Sequence, residues 1–96
     1  MKIINSAHAG TLESSDIYIQ INPFKEDKIE LELESSVEEL YGDAIKELII
    51  KTLEDMNVSF VHVKAQDKGA MDLVIKARLQ AAVLRACESD PVWEEL

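Results

Sequence analysis

The chain has 96 residues and a formal charge of −9, with nineteen acidic against ten basic side chains; 47% of it is apolar and only 5% aromatic. That length suits one compact domain over 1–96, with a core built mainly of Ile, Leu, Val and Ala. The charge repels phosphate backbones and argues against nucleic acid as a partner. No run of eighteen apolar residues is present to span a membrane, and Met1-Lys2-Ile3-Ile4-Asn5 lacks the apolar stretch of a secretory signal, so a cytoplasmic protein is expected. The single cysteine, Cys87, excludes an internal disulfide and offers no metal-ligand pattern.

Residues 1–8 show no period and are expected to form a loosely ordered arm, with a short strand near Ala9-Leu12. Gly10-Thr11-Leu12-Glu13-Ser14-Ser15-Asp16 follows as a glycine-led polar stretch. A turn at Ser14-Ser15-Asp16 is expected there, since Ser and Asp oxygens bond nearby backbone groups, and most such triplets are nothing more than turns. Ile17, Ile19 and Ile21 then alternate with Tyr18, Gln20 and Asn22, the period of a half-buried strand. Pro23-Phe24-Lys25-Glu26-Asp27 interrupts the pattern, because proline cannot donate to a ladder. Alternation resumes with Ile29, Leu31 and Leu33 against Glu30, Glu32 and Glu34. Two such runs across a short polar break predict an antiparallel hairpin with a solvated glutamate face. Acid catalysis by those glutamates would need a pocket to shift their pKa values.

Ser36-Val37-Glu38-Glu39 matches a capping box, and the apolar residues that follow at three- and four-residue steps predict an amphipathic helix to about Asn57, a suitable left-handed cap. Gly42 lies inside it, where a glycine costs about 1 kcal/mol against alanine, so another element is expected to approach closely there. Val58 to Ala65 is β-branched and apolar on parts of both faces, as in a central strand. His62 within it has no second His or Cys placed to share a metal and reads as a packed or surface histidine. Asp67-Lys68-Gly69-Ala70-Met71-Asp72 turns the chain into a last helix ending near Glu88, with Asp67 or Gly69 as cap. Arg78 and Arg85, seven apart in an apolar surround, call for partners, and ion pairs with sheet glutamates are the simplest choice. The tail, 89–96, is expected to be loosely ordered and is polar apart from Trp93, which suggests docking on this domain or a partner.

Four pieces in register resemble the acyl carrier protein, or gamma subunit, of citrate lyase: the Ala9–Asp16 serine segment, Tyr41-Gly42-Asp43-Ala44-Ile45, Asp67-Lys68-Gly69-Ala70-Met71-Asp72 with the following Ala77-Arg78 and Arg85-Ala86, and the Trp93-Glu94 tail. In the third piece the family more usually has leucine where this chain has Met71. The resemblance implies an α+β fold, a small antiparallel or mixed sheet packed against two helices, and not the four-helix bundle of ordinary acyl carriers. It implies a chain with no catalytic residues of its own. Ser14, the serine after Gly-Thr-Leu-Glu, would be the covalent attachment residue for 2'-(5''-phosphoribosyl)-3'-dephospho-CoA. The thiol of that arm would hold acetyl and citryl thioesters while citrate is cleaved to acetate and oxaloacetate. The implied partners are the alpha and beta subunits, the transferase that installs the arm and the ligase that acetylates it. Arg78, Arg85 and Lys68 become possible contacts to the arm or to a partner. The acyl carrier subunit of malonate decarboxylase resembles this family and bears the same type of arm, so malonate stands as an alternative substrate. A free-standing acidic interaction domain is a second alternative. A small enzyme using Glu13, Asp16 or His62 is a third, without a nucleophile–base pair at useful spacing.

Overall fold

The computed structural model describes residues 1–87, which form β1 (Ala7–Gly10), β2 (Ile17–Pro23), β3 (Ile29–Ser35), α1 (Glu38–Asp55), β4 (Val61–Asp67) and α2 (Asp72–Cys87). The strands make one mixed sheet in the order β1-β2-β4-β3, with α2 packed on β1 and β2, and α1 on β3 and α2. The fold is therefore α+β, a sheet with two helices against it. Alternation decides which residues go inside: Ile17, Ile19 and Ile21 of β2 and Val61, Val63 and Ala65 of β4 are fully buried against Ile75, Leu79 and Val83 of α2 and Ile49 and Leu53 of α1. Each such aliphatic side chain contributes about 1.5–3 kcal/mol on burial, so these few residues carry most of the cohesion.

β2 and β3 are not a hairpin. β4 enters between them, antiparallel to β2 (Ile21 opposite Val63) and parallel to β3 (Leu31 opposite Val63). A period of two says which face of a strand is buried, but nothing about which strand lies beside it. Here the link after β2 steps over one strand position, roughly 10 Å across the sheet. It is held there by Phe24 N–H donating to the Phe60 carbonyl (2.9 Å) and by Val61 N–H donating to that of Lys28 (3.2 Å). α1 then returns the chain so that β4 runs parallel to β3. The central place expected for β4 is the one it occupies. β3 is left as an edge strand with Glu32 and Glu34 exposed, which suits a charged edge that resists strand addition.

The capping box at Ser36 does not form. α1 has Val37 at its N-cap with no side-chain bond, and Ser35, two residues before it, takes the polar role. Its Oγ accepts from Val37 N–H (3.1 Å) and donates to Asp67 Oδ2 (2.8 Å). The β3–β4 register causes this, because it sets Ser35 directly opposite Asp67. At the other end Asn57 is left-handed (φ 57°), and Val58 N–H bonds the Leu53 carbonyl while Asn57 N–H bonds that of Glu54, both at 2.9 Å. That is a Schellman ending with Asn57 as its left-handed residue. Gly42 is buried on α1.

The N-terminal arm is tied down rather than loose. Ile3 joins the core, and the N–H groups of Ile4 and Asn5 donate to the Ala86 carbonyl at 3.0 and 2.9 Å. The last carbonyls of a helix lack intrahelical donors, and this arm supplies them for α2. The first strand accordingly starts earlier than expected, at Ala7, and His8 within it stacks on Tyr18 with ring centroids 5.5 Å apart. The predicted loose tail, 89–96, with Trp93, lies outside the described residues.

Candidate functional site

β1 and β2 pair from Ala7 opposite Ile21 to Gly10 opposite Tyr18, and the loop between them, Thr11 to Asp16, carries both serines. Gly10 has φ +91°, and a Cβ there would lie 1.8 Å from the Ile17 carbonyl oxygen. Only glycine lets β1 close so tightly onto β2 at the root of the loop. The tip is a turn in which Asp16 N–H bonds the Glu13 carbonyl (3.1 Å), with Ser14 and Ser15 between them. Ser15 is left-handed (φ 67°). Its N–H donates to the Lys68 carbonyl and Lys68 N–H donates to the Asp16 carbonyl, both at 2.9 Å, so the turn is stitched to the end of β4.

Asp16 is the anchor of this loop. Oδ1 accepts from Ile17 N–H (2.8 Å) and Arg78 Nε (3.0 Å), and Oδ2 accepts from the Thr11 hydroxyl (2.7 Å) and Arg78 Nη2 (3.0 Å). Those four donors fill the lone-pair sites of one carboxylate. The bidentate guanidinium of Arg78 is the main reason that the Asp16 carboxyl is lowered from 3.8 to about 2; partial burial opposes the shift, and the Thr11 and Ile17 donors add to it. Thr11 works in both directions, since its Oγ1 also accepts from Glu13 N–H (3.2 Å). Asp67, buried under the neighbouring turn, accepts from the Ser35 hydroxyl and from Ala70 N–H (2.9 Å) and holds Lys68 in place.

Ser14 and Ser15 are both exposed, and neither hydroxyl has a hydrogen-bond partner among the described residues. They differ in the backbone: Ser15 is the residue pinned to Lys68, and Ser14 stands at the tip beside it. Arg78 pairs with Asp16 and not with a sheet glutamate, while Arg85 donates Nη1 to the His8 carbonyl at 2.7 Å. Both corrections share one cause: α2 lies over β1 and β2, so its arginines reach the serine loop and β1, whereas the glutamates of β3 are at the far edge. Thr11 has no role that its immediate sequence context announces, and Asp67, expected as a cap for the last helix, instead braces the turn ahead of it. The sequence signal for Thr11 was its place with Asp16 at the two ends of the loop, where a hydroxyl and a carboxylate can close on each other. His62 bonds Asn22 and Glu32 on the open face of the sheet, away from this loop.

A groove of about 380 Å³ runs beside the loop between β1 and α2, floored by Val74, Ala77 and Ala81 and flanked by Arg78 and Arg85. Among the described residues no helix is long and apolar enough to cross a membrane.

The Asp16–Arg78 pair has a pH signature. The folded carboxyl titrates at about 2 and the unfolded one near 3.8, so the ionised form stabilises the fold above pH 4 and that contribution is lost as pH falls from about 4 to about 2. With Arg78 43% exposed, solvent screening leaves roughly 1–2 kcal/mol. Arg78→Gln is expected to lower the melting temperature at pH 7 and to melt close to wild type at pH 2, as followed by circular dichroism. A deficit of equal size at both pH values would mean that the pair contributes nothing through charge.

The fold and the serine loop together point to the class of small α+β acyl carrier domains. The family model described as the malonate decarboxylase delta subunit (MdcD) matches residues 4–86. A chain of the crystal structure of a Pseudomonas malonate decarboxylase hetero-tetramer in complex with malonate shares the fold, with a TM-score of 0.78 over 88% of this chain and 86% of that one at 18% identity. The citrate lyase acyl carrier protein of Vibrio cholerae serotype O1 is 48% identical over 97 residues, covering 100% of this chain and 99% of its own length. Citrate lyase acyl carrier protein 2 of Salmonella paratyphi A is 47% identical with full coverage of both chains, and the Escherichia fergusonii citrate lyase acyl carrier protein is 48% identical over 92 residues, 96% of this chain and 95% of that one. The chain belongs to the citrate lyase acyl carrier protein family.

Proposed function

We propose that this chain carries acyl groups within a citrate lyase complex in the cytoplasm, on a phosphoribosyl-dephospho-CoA arm bound through a phosphodiester to Ser14. The observation that carries the reading is the unencumbered hydroxyl of Ser14 at the tip of a pinned, exposed turn, in a chain 48% identical to citrate lyase acyl carrier proteins. The residues fit such a group. The alcohol points to no partner it would have to leave, and its neighbours Glu13 and Ser15 are exposed, so a bulky substituent displaces nothing from the core. When bound, the arm supplies a thiol able to hold an acyl group, the chemistry that cleavage of citrate to acetate and oxaloacetate uses.

The chain's own work is presentation. Asp16, locked by Thr11 and Arg78, and Ser15, locked by Lys68, hold the turn still while a transferase reaches Ser14. A rigid base with a long arm keeps the acyl group at a high effective concentration for the alpha and beta subunits in turn. The acetylating ligase would meet the same exposed pole.

Intact-mass measurement of the protein from its native host is expected to show the adduct. The loaded protein mixed with alpha and beta subunits should convert citrate to oxaloacetate. An unmodified mass under every growth condition would leave the acidic interaction domain as the better reading. Turnover of malonate and not citrate would move the chain to the decarboxylase system, which the matching family model and shared fold keep in view.

A further inference from the structure

We propose that the groove between β1 and α2 is a resting site for the phosphate-bearing nucleotide portion of the arm, held by Arg85 with help from Arg78; this rests on Ser14 as the point of attachment. The chain has only two arginines, and both flank this one groove. On a surface of net charge −9, which discourages an anion, the arm meets two guanidinium groups in this groove close to its root. Neither guanidinium is exhausted by its structural bond. Arg78 turns Nε and Nη2 to Asp16, which leaves the Nη1 hydrogens, and Arg85 uses Nη1 on the His8 carbonyl, which leaves Nε and Nη2. The existing bonds fix each side chain in advance, which lowers the ordering cost of a phosphate contact. Between them Val74, Ala77 and Ala81 give an apolar floor, and about 380 Å³ lies within the range of small-ligand sites.

Affinity need not be high. A ligand tethered next to the groove is present at an effective concentration in the millimolar range, so a millimolar site is half filled. Such weak docking shelters the arm between encounters and yields to a partner active site.

The test compares amide shifts of unloaded and loaded protein by NMR. In wild type, loading is expected to move Val74, Ala77, Arg78 and Ala81 as well as the turn at 13–16. In Arg85→Gln, loss of a charge-assisted bond should cut the bound-to-free ratio about tenfold. Ala81→Leu should fill the floor while leaving the fold intact, as its side chain borders the groove. In both variants the shifts should shrink to the turn while intact mass shows the same adduct. Loaded wild type perturbed only at the turn would overturn the resting site and leave the carrier reading standing, as would groove shifts that persist unchanged in both variants. Absence of any adduct would remove both.

Discussion

Ser14→Ala is expected to fold as wild type, to gain no mass from the transferase and to leave a reconstituted complex without citrate cleavage. The side chain is exposed and makes no hydrogen bond among the described residues, so its loss has no route to stability. A surface change of this kind usually stays within about 0.5 kcal/mol. Ser15→Ala is the matched comparison, since Ser15 is equally exposed and also a primary alcohol. Its contribution to the turn runs through a left-handed backbone and an N–H bonded to Lys68, both of which alanine keeps, and the left-handed strain of a Cβ is already borne by serine. Ser15→Ala should therefore still accept the arm. Peptide mapping decides between them: an adduct on Ser15, or full activity in Ser14→Ala, would overturn the assignment.

Gly10→Ala should be strongly damaging for so small a change. The new methyl would sit 1.8 Å from the backbone oxygen of Ile17, at φ +91°, with no flexible side chain able to yield. Left-handed strain and forced overpacking together come to roughly 2–5 kcal/mol. In a domain of this size that lowers Tm by about 10 °C or more. Gly69→Ala separates strain from collision, because Gly69 has nearly the same φ, +92°, and nothing within 4 Å of its missing Cβ. It should lose only the strain, about 1–2 kcal/mol. Equal melting of the two variants would remove the collision argument. Because Gly10 stands at the root of the serine loop, a surviving Gly10→Ala protein should also be a poor substrate for the transferase.

Local pattern alone determined a good deal of this protein. The buried faces of β2 and β4, the helix with its Asn57 ending, the turn at Ser14–Asp16 and the polar face of β3 all follow from side-chain period and from residues with narrow conformational habits. These are short-range effects, and neighbours in sequence suffice to set them. The family was also legible, from the serine segment, Tyr41-Gly42-Asp43 and Asp67-Lys68-Gly69-Ala70 standing in order.

Only the tertiary structure decided who sits beside whom. Nothing in the alternation of β2 and β3 says that β4 will come between them, since strand pairing depends on which surfaces the helices cover. Once β3 lies opposite Asp67, Ser35 takes the polar role at the start of α1 that Ser36 was suited to by position. Once α2 lies over β1 and β2, Arg78 meets Asp16 across 62 residues of sequence and Arg85 meets the His8 carbonyl across 77. The α2 carbonyl of Ala86 likewise claims an N-terminal arm whose sequence has no period of its own. A buried or bidentate polar group is satisfied by whatever partner the packing delivers, and that partner is a property of the fold and not of the segment.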